Sequence, residues 1–337
     1  MNDKIAIITP SFNRGYIIRE TAESVFAQTH ENWEWIIVDD GSTDDSWETI
    51  QSFVKKDARV KAHKRKRLPK GACTCRNIGT ERSNADWFLF LDTDDLLHPE
   101  CLTQRLRSSQ KTSNEKEVLY FPTLVFENNT EFCMLWDDSD HPIEWIEGVL
   151  NLTPACPGTG TLWPKSLWRT HGIWREDLIL WQDVELHARA HWSGVHFKAA
   201  QNTFPDVFIR QSKDSISRIG FHNKPKLSNR MLTIQALWAL MSQSDWQESE
   251  RKALAQLTMR AVQNGANLGL LEEVRTFIAR PDVILEKSEM QLAIKIIKSR
   301  QWKLDRIFLV KDYLNQKWSR CFPPSQRKIG ATKWRTK

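Results

Sequence analysis

Asp92 and Asp94 stand two residues apart at the end of Trp87-Phe88-Leu89-Phe90-Leu91, an unbroken run of large apolar residues. Carboxylates at this spacing can share one hard divalent cation, Mg2+ or Mn2+, that is itself bound to phosphate oxygens. Asp-x-Asp alone is a weak signal. About one chance copy is expected in a chain of this length, and Asp138-Ser139-Asp140 is a second copy with no apolar run before it. The context of Asp92 is what matters. Its apolar run has a strand's length, and a continuous apolar strand is buried on both faces, as in the middle of a parallel sheet. Ligands of open α/β sheets bind beyond the carboxyl ends of the strands. The acids are therefore expected at the mouth of a site.

The elements that must hold them there are legible upstream. Ile5-Ala6-Ile7-Ile8 reads as a first buried strand, followed by Thr9-Pro10-Ser11-Phe12-Asn13-Arg14-Gly15 and a helical pattern over about 16–28. Trp35-Ile36-Ile37-Val38 is a second strand, ending in Asp39-Asp40-Gly41-Ser42-Thr43-Asp44 before another helix. Val60 to His63 is a short third strand, and a helix over about 72–82 returns the chain to Trp87. Alternating strands and helices give a parallel sheet with right-handed crossovers. Three strands then end on one edge in conspicuous polar residues: Ser11 to Arg14, Asp39 to Thr43 and Asp92 to Asp95. The shared edge describes a nucleotide pocket. It offers an aromatic ring to stack on a base, a carboxylate to accept from a base N–H, and acids for a metal.

These residues carry a resemblance. Thr9-Pro10-Ser11-Phe12-Asn13-Arg14, Val38-Asp39-Asp40-Gly41-Ser42-Thr43-Asp44, Gly71-Ala72-Cys73-Thr74-Cys75-Arg76-Asn77-Ile78-Gly79 and Phe90-Leu91-Asp92-Thr93-Asp94-Asp95 resemble, in order and spacing, motifs of the inverting family 2 glycosyltransferases. The resemblance implies the GT-A fold, α/β with a Rossmann-like mixed, mainly parallel sheet between helices. It implies that Pro10, Ser11, Phe12, Arg14 and Asp39 hold the nucleobase and that Arg76 lies near the nucleotide. It also implies that Asp92, Thr93 and Asp94 reach ribose, diphosphate and metal, with Asp92 and Asp94 as ligands of Mn2+ or Mg2+. Lys64-Arg65-Lys66-Arg67-Leu68-Pro69-Lys70-Gly71 departs from the family's Asn-x-Gly approach. It reads either as a solvated basic loop, as a device placing Arg67 or Lys70 on the donor diphosphate, or as a contact to anionic lipid.

Gln182-Asp183 stands where the family commonly has Glu-Asp at the start of a helix, with the Asp as catalytic base. Inverting transfer is a single displacement at the anomeric carbon, so one carboxylate must take the acceptor's proton. A metal-bound diphosphate leaves without protonation. The base is assigned to Asp183 rather than Glu185, which lies about 200° further round the helix. The bland alternative for Asp183 is a helix cap. His187 and His191 share the helix at a half-site spacing for zinc, without a third ligand, and read as structural. Arg210 and His222 are weaker candidates for the diphosphate and the metal shell.

Thr123 to Phe126 continues Val118 to Phe121 as a strand interrupted by Pro122, which suggests an edge or a bulge. From about Lys224 onward only helical patterns appear, outside the resemblance. The expected organisation is a catalytic domain over 1–222, a helical region over 223–320 and a basic tail over 321–337. That tail lacks acids and could lie on an anionic membrane surface.

The bulk composition is ordinary: 40% hydrophobic and 27% charged, with a net charge of +6 that suits anionic ligands without demanding nucleic acid. The six Cys show no metal-like or disulfide-like spacing. No signal peptide or membrane span is read, so a cytoplasmic protein is expected, peripheral to the membrane at most. The function expected is transfer of a sugar from a nucleotide-diphosphate donor, a UDP-sugar by preference, to a glycan or lipid-linked glycan acceptor. Absence of a Gln-x-x-Arg-Trp motif favours single additions over processive synthesis, by the same resemblance. The rivals are a sugar nucleotidyltransferase and a non-catalytic nucleotide-sugar-binding scaffold.

Overall fold

The computed structural model describes residues 3–111, 115–127, 130–136, 144–211, 223–302, 308–321 and 333–335. Asp138, Asp140 and His222 lie outside them. In chain order the first half runs β1 (Ile5–Ser11), α1 (Ile18–Phe26), β2 (Trp33–Asp39), α2 (Ser46–Lys56), β3 (Val60–Lys64), α3 (Ala72–Glu81), β4 (Trp87–Phe90), β5 (Leu96–Leu97) and α4 (Cys101–Ser109). The middle comprises β6 (Glu117–Tyr120), β7 (Thr123–Phe126), β8 (Phe132–Leu135), α5 (Trp145–Leu150), β9 (Thr161–Pro164), α6 (Lys165–His171), α7 (Gln182–Trp192), β10 (His196–Ala199) and β11 (Val207–Arg210). Helices α8 (Lys224–Met241), α9 (Glu248–Asn267), α10 (Leu271–Ile278), α11 (Lys287–Gln301) and α12 (Phe308–Cys321) follow, then β12 (Lys333–Arg335).

The main sheet has seven strands in the order β10-β6-β9-β4-β1-β2-β3. β4, β1, β2 and β3 are parallel neighbours, whereas β9 runs antiparallel to β4 and β6. Because β2 and β4 flank β1 on opposite sides, the chain reverses its direction of winding at β1, and the crevice there is where such sheets bind ligands. Side-chain alternation splits the sheet's core by parity. Ile5, Ile7, Trp33, Trp35, Ile37 and Leu89 pack on one face with α1, α2 and α4. Ala6, Ile8, Ile36, Val38, Phe88 and Phe90 pack on the other with α3, α6 and α7. Gly79 lets α3 lie close on β1, since a Cβ there would stand 2.5 Å from a methyl of Ile8.

Pro122 does more than interrupt a strand. It separates β6, which stays in the main sheet, from β7, which joins a second sheet of order β12-β8-β7-β11-β5. A residue without an N–H suits the point where the chain leaves one ladder for another. Within the basic tail, Lys333–Arg335 pairs antiparallel with Phe132–Met134 as an edge strand. Strands β9 and β10 were not legible as strands; their residues lack the apolar run that marks β1 and β2.

The helical region shares a core with the middle of the chain. Val184 and Ala188 of α7 pack among Leu227, Ile234, Leu254, Leu257 and Val262, together with Trp145 and Ile146 of α5. Leu186 and Ala190 of α7 belong to the sheet's core instead. Helix α7 is thus a wall between sheet and helical region. Among the described residues no helix is long and apolar enough to cross a membrane. All six Cys are free, five of them buried.

Candidate active site

The β1–α1 and β2–α2 loops are laced together at the crevice. Asn13 N donates to Ser42 Oγ at 2.9 Å, Thr43 N to Asn13 Oδ1 at 2.8 Å, and Arg14 N to Ser46 Oγ at 2.7 Å. Asn13 adopts φ +52, a left-handed conformation that Asn tolerates. Ser11 and Asp39 are register partners at the two strand ends. Asp39 is 1% exposed; its Oδ2 accepts from Gly41 N and Ser42 N, both at 3.1 Å. Its Oδ1 and the neighbouring Ser11 Oγ are buried without a partner. Buried polar atoms are rarely left unpaired, so these two leave hydrogen-bonding capacity at the edge of the crevice. Phe12 is 42% exposed beside them, with the Lys70 ammonium 3.6 Å above its ring.

The basic loop is not a free solvated loop. Arg65 pairs with the buried Asp40, and Arg67 bonds Glu81 and Glu176 at 2.9 and 2.7 Å. Arg67 therefore braces the 172–181 segment, and Lys70 stands over the Phe12 ring.

Asp92 and Asp94 follow β4 as expected, half-buried, with buried Thr93 between them. The Thr93 carbonyl accepts from Thr21 Oγ1 at 2.8 Å, which ties the acidic turn to α1. Burial, and after it the charge of Asp92, pushes the Asp94 carboxyl above its ordinary range. Burial also pushes Asp95 well above it, with Asp94 and Asp92 adding to the effect. Arg210 steadies the cluster: its N–H donates to Asp95 Oδ1 at 3.1 Å and its Nε to the Asp94 carbonyl at 3.2 Å. Among the described residues no three His, Cys, Asp or Glu side chains converge to hold a metal alone. Two carboxylates do fit Mg2+ or Mn2+, hard ions commonly held by one or two carboxylates with substrate phosphates and waters completing the shell.

Arg76 joins this edge to α7. Its Nη2 donates to Asp92 Oδ1 at 2.7 Å and its Nη1 to Gln182 Oε1 at 2.9 Å. The guanidinium lies 4.7 Å from the Trp174 ring, and its Nε is buried without a partner. Burial works against its charge, but its neighbours acting together, Asp92 first and Asp183 among them, raise its pKa above the ordinary arginine value, so Arg76 stays charged. Asn77 clamps Trp174 through both backbone groups, at 3.0 and 2.8 Å.

Asp183 sits in the first turn of α7, one residue inside the helix rather than at its cap, which is Trp181. Asp183 Oδ1 accepts from Val184 N at 3.0 Å. A Cβ on Gly158 would lie 3.8 Å from the Asp183 Cβ, so the Gly158 turn borders the carboxylate. The two histidines of α7 are not a zinc half-site. His191 Nε2 lies 3.3 Å from Glu250 Oε1. His187 is 2% exposed in a box of Trp145, Trp163 and Phe197. Burial holds its pKa down to about 4, partly opposed by the Asp183 charge.

That burial has a measurable consequence. His187 titrates near 6.5 when unfolded, so between about pH 6.5 and 4 the unfolded chain binds the extra proton. Stability is fully present above that window and is lost as pH falls through it. In urea unfolding, His187→Leu is expected to reduce the stability lost between pH 7.5 and 4.5 by roughly 2–3 kcal/mol relative to wild type. Parallel pH slopes for the two proteins would refute this.

Comparison with known proteins places these features. Residues 6–119 match the family model described as glycosyl transferase family 2. An uncharacterized glycosyltransferase of Rickettsia felis is 36% identical over 258 residues, covering 71% of this chain and 41% of the relative. The chain spans less than half the length of the curated relatives it matches. Among solved structures, S. aureus TarS 1–349 in complex with UDP-GlcNAc superposes with a TM-score of 0.60 at 15% identity, over 94% of this chain and 91% of that one. Mannosyltransferase PcManGT from Pyrobaculum calidifontis, in complex with GDP-Man and Mn2+, gives 0.51 at 12% identity, over 94% and 84%. The fold is GT-A with a helical C-terminal region. Over residues 6–119 the chain is thus similar to glycosyl transferase family 2.

Sequence reasoning placed the three strand ends and Asp183 in the right elements. It missed Trp174 and the pairing of Arg65 with Asp40, for which no period or motif gives a signal. The Gln at 182 was visible as a departure, but its partners were not.

Proposed function

We propose that the chain is a metal-dependent inverting glycosyltransferase, moving a sugar from a nucleotide-diphosphate donor to a hydroxyl of a glycan acceptor. The observation that carries it is the Arg76 bridge. One charged guanidinium spans from Asp92, on the strand edge with Ser11 and Asp39, to Gln182, next to Asp183. A donor seated with its base at Phe12 and Asp39 runs its diphosphate past Arg76 and Asp94. Its anomeric carbon then faces the first turn of α7.

In this reading Asp39 Oδ1 accepts from the base, Phe12 stacks on it, and Pro10, Ser11 and Arg14 shape the pocket. Thr93 sets the spacing of Asp92 and Asp94. A divalent cation on these two carboxylates would supply positive charge against the leaving diphosphate. Asp183 takes the acceptor hydroxyl's proton as its oxygen bonds the anomeric carbon and the bond to the diphosphate breaks. Residues 1–222 carry this chemistry. UDP is the preferred nucleotide, supported by the likeness to a fold described with UDP-GlcNAc; the acceptor is a surface or lipid-linked glycan.

Calorimetric titration of the chain with UDP, GDP, ADP and CDP, with and without Mn2+, tests the reading. UDP is expected to bind best and only with metal, and Asp94→Ala to abolish the metal-dependent part. Metal-dependent binding of another diphosphate keeps the enzyme class and overturns the donor. No binding under any condition supports a non-catalytic scaffold instead.

A further inference from the structure

Residues 172–182 carry the chain from α6 into the first turn of α7, and they are fastened from two sides. On one side Asn77 holds Trp174, and Arg67 and Asn77 both reach Glu176 Oε1, at 2.7 and 2.9 Å. On the other side the partner is α8, in the helical region beyond the family match. The buried Asn229 accepts through Oδ1 from Ile179 N at 3.0 Å and Leu180 N at 2.9 Å, and its Nδ2 donates to the Asp177 carbonyl at 3.3 Å. One turn on, Thr233 Oγ1 donates to the Leu180 carbonyl at 3.4 Å. Between them, the Arg230 guanidinium lies 5.1 Å from the Trp181 ring.

The fastening falls where the backbone is least comfortable. Trp181 has φ +54, a left-handed conformation that is strained for a bulky residue and persists only when its surroundings over-determine it. The next residue passes the constraint on. Gln182 Nε2 donates to the carbonyls of Leu178 and Ile179, at 3.0 and 3.2 Å, while its Oε1 accepts from Arg76. A Glu at 182 could accept from Arg76 but could not donate to those carbonyls. The neutral amide thus suits this chain's own turn.

The geometry points to Asn229 as a positioning residue for Asp183: α8 holds the 177–181 turn so that Gln182 meets Arg76 and Asp183 faces the donor. Hydrogen bonds run continuously from Asn229 through the turn to Gln182, Arg76 and Asp92. This role rests on the glycosyltransferase reading. It makes the helical region part of the active site rather than an appendage.

The test compares Asn229→Leu, which keeps the bulk and loses the acceptor, with Asn229→Asp, which keeps an oxygen for both amides. The full-length variants are measured for sugar transfer, Mn2+-dependent nucleotide affinity and thermal unfolding. Asn229→Leu is expected to lower kcat roughly 10- to 100-fold, the scale of a small misplacement of a reacting group. Nucleotide affinity and acceptor KM should stay at wild-type values below its unfolding temperature. Asn229→Asp is expected to recover most of kcat. If Asn229→Leu does not fold, Asn229→Ser, whose hydroxyl is too short to reach both amides, takes its place with the same readings. Wild-type kcat in the Leu variant, an equal loss in the Asp variant, or a matching loss of nucleotide affinity would each overturn the role. A wild-type chain that neither transfers sugar nor binds nucleotide sinks the glycosyltransferase reading, and this role with it.

Discussion

Asp183→Asn is expected to slow sugar transfer roughly 10²–10⁴-fold, the usual worth of a positioned general base, while Mn2+-dependent nucleotide binding stays intact. The amide keeps the side chain's size and its ability to accept from Val184 N. It loses only the basicity that removes the acceptor's proton. In the proposed arrangement the donor's contacts lie elsewhere, on Asp39, Arg76 and Asp94, so calorimetry with the nucleotide should not distinguish variant from wild type. Single-turnover rates measured with a saturating donor isolate the effect. Transfer at the wild-type rate would remove Asp183 from its role and leave it a first-turn acid favoured by the helix dipole. Loss of both transfer and nucleotide binding would point instead to a collapsed 172–182 turn.

Asp206→Ala is expected to cost about 3–5 kcal/mol of stability, since it strands a buried guanidinium. Arg105 and Asp206 are both 0% exposed and meet through two bonds, Nη2 to Oδ1 at 2.7 Å and Nε to Oδ2 at 2.9 Å. Gln104 Nε2 donates to Asp206 Oδ2 at 3.1 Å, and Arg105 Nη1 to the Thr159 carbonyl at 2.7 Å. The pair thereby ties α4, the start of β11 and the Gly158 turn beside Asp183 into one unit. Replacing both partners with apolar residues, Arg105→Met with Asp206→Leu, should cost much less than the single change, because no charge is left uncompensated. Urea unfolding of the three proteins decides it. A double variant as unstable as Asp206→Ala would mean that the bond to Thr159, rather than the ion pair, carries the effect.

The two predictions touch different kinds of residue, and the sequence treated them differently. Asp183 was visible because it follows an apolar stretch and starts a helix in a family-like place. Arg105 and Asp206 were invisible: each is an ordinary charged residue until a partner about a hundred positions away turns it into the interior. The same holds for Lys64 to Lys70. The run reads as solvated because charge runs usually are, yet Asp40, Glu81 and Glu176 draw both of its arginines into fixed pairs.

By itself the sequence determined the parallel half of the sheet, the edge on which Ser11, Asp39 and Asp92 gather, and the helical character of the chain after Lys224. Those features rest on local patterns, namely apolar runs of strand length, polar strand ends and helical spacing, which fix conformation over a few residues. Only the tertiary structure decided that Pro122 divides two sheets, that Lys333–Arg335 closes an edge of the second one, and that Arg76 bridges Asp92 to Gln182. It alone put Asn229 behind the turn that delivers Asp183. Such facts depend on which distant surfaces meet when α7 is buried on both sides at once, and no period or spacing along the chain encodes that meeting.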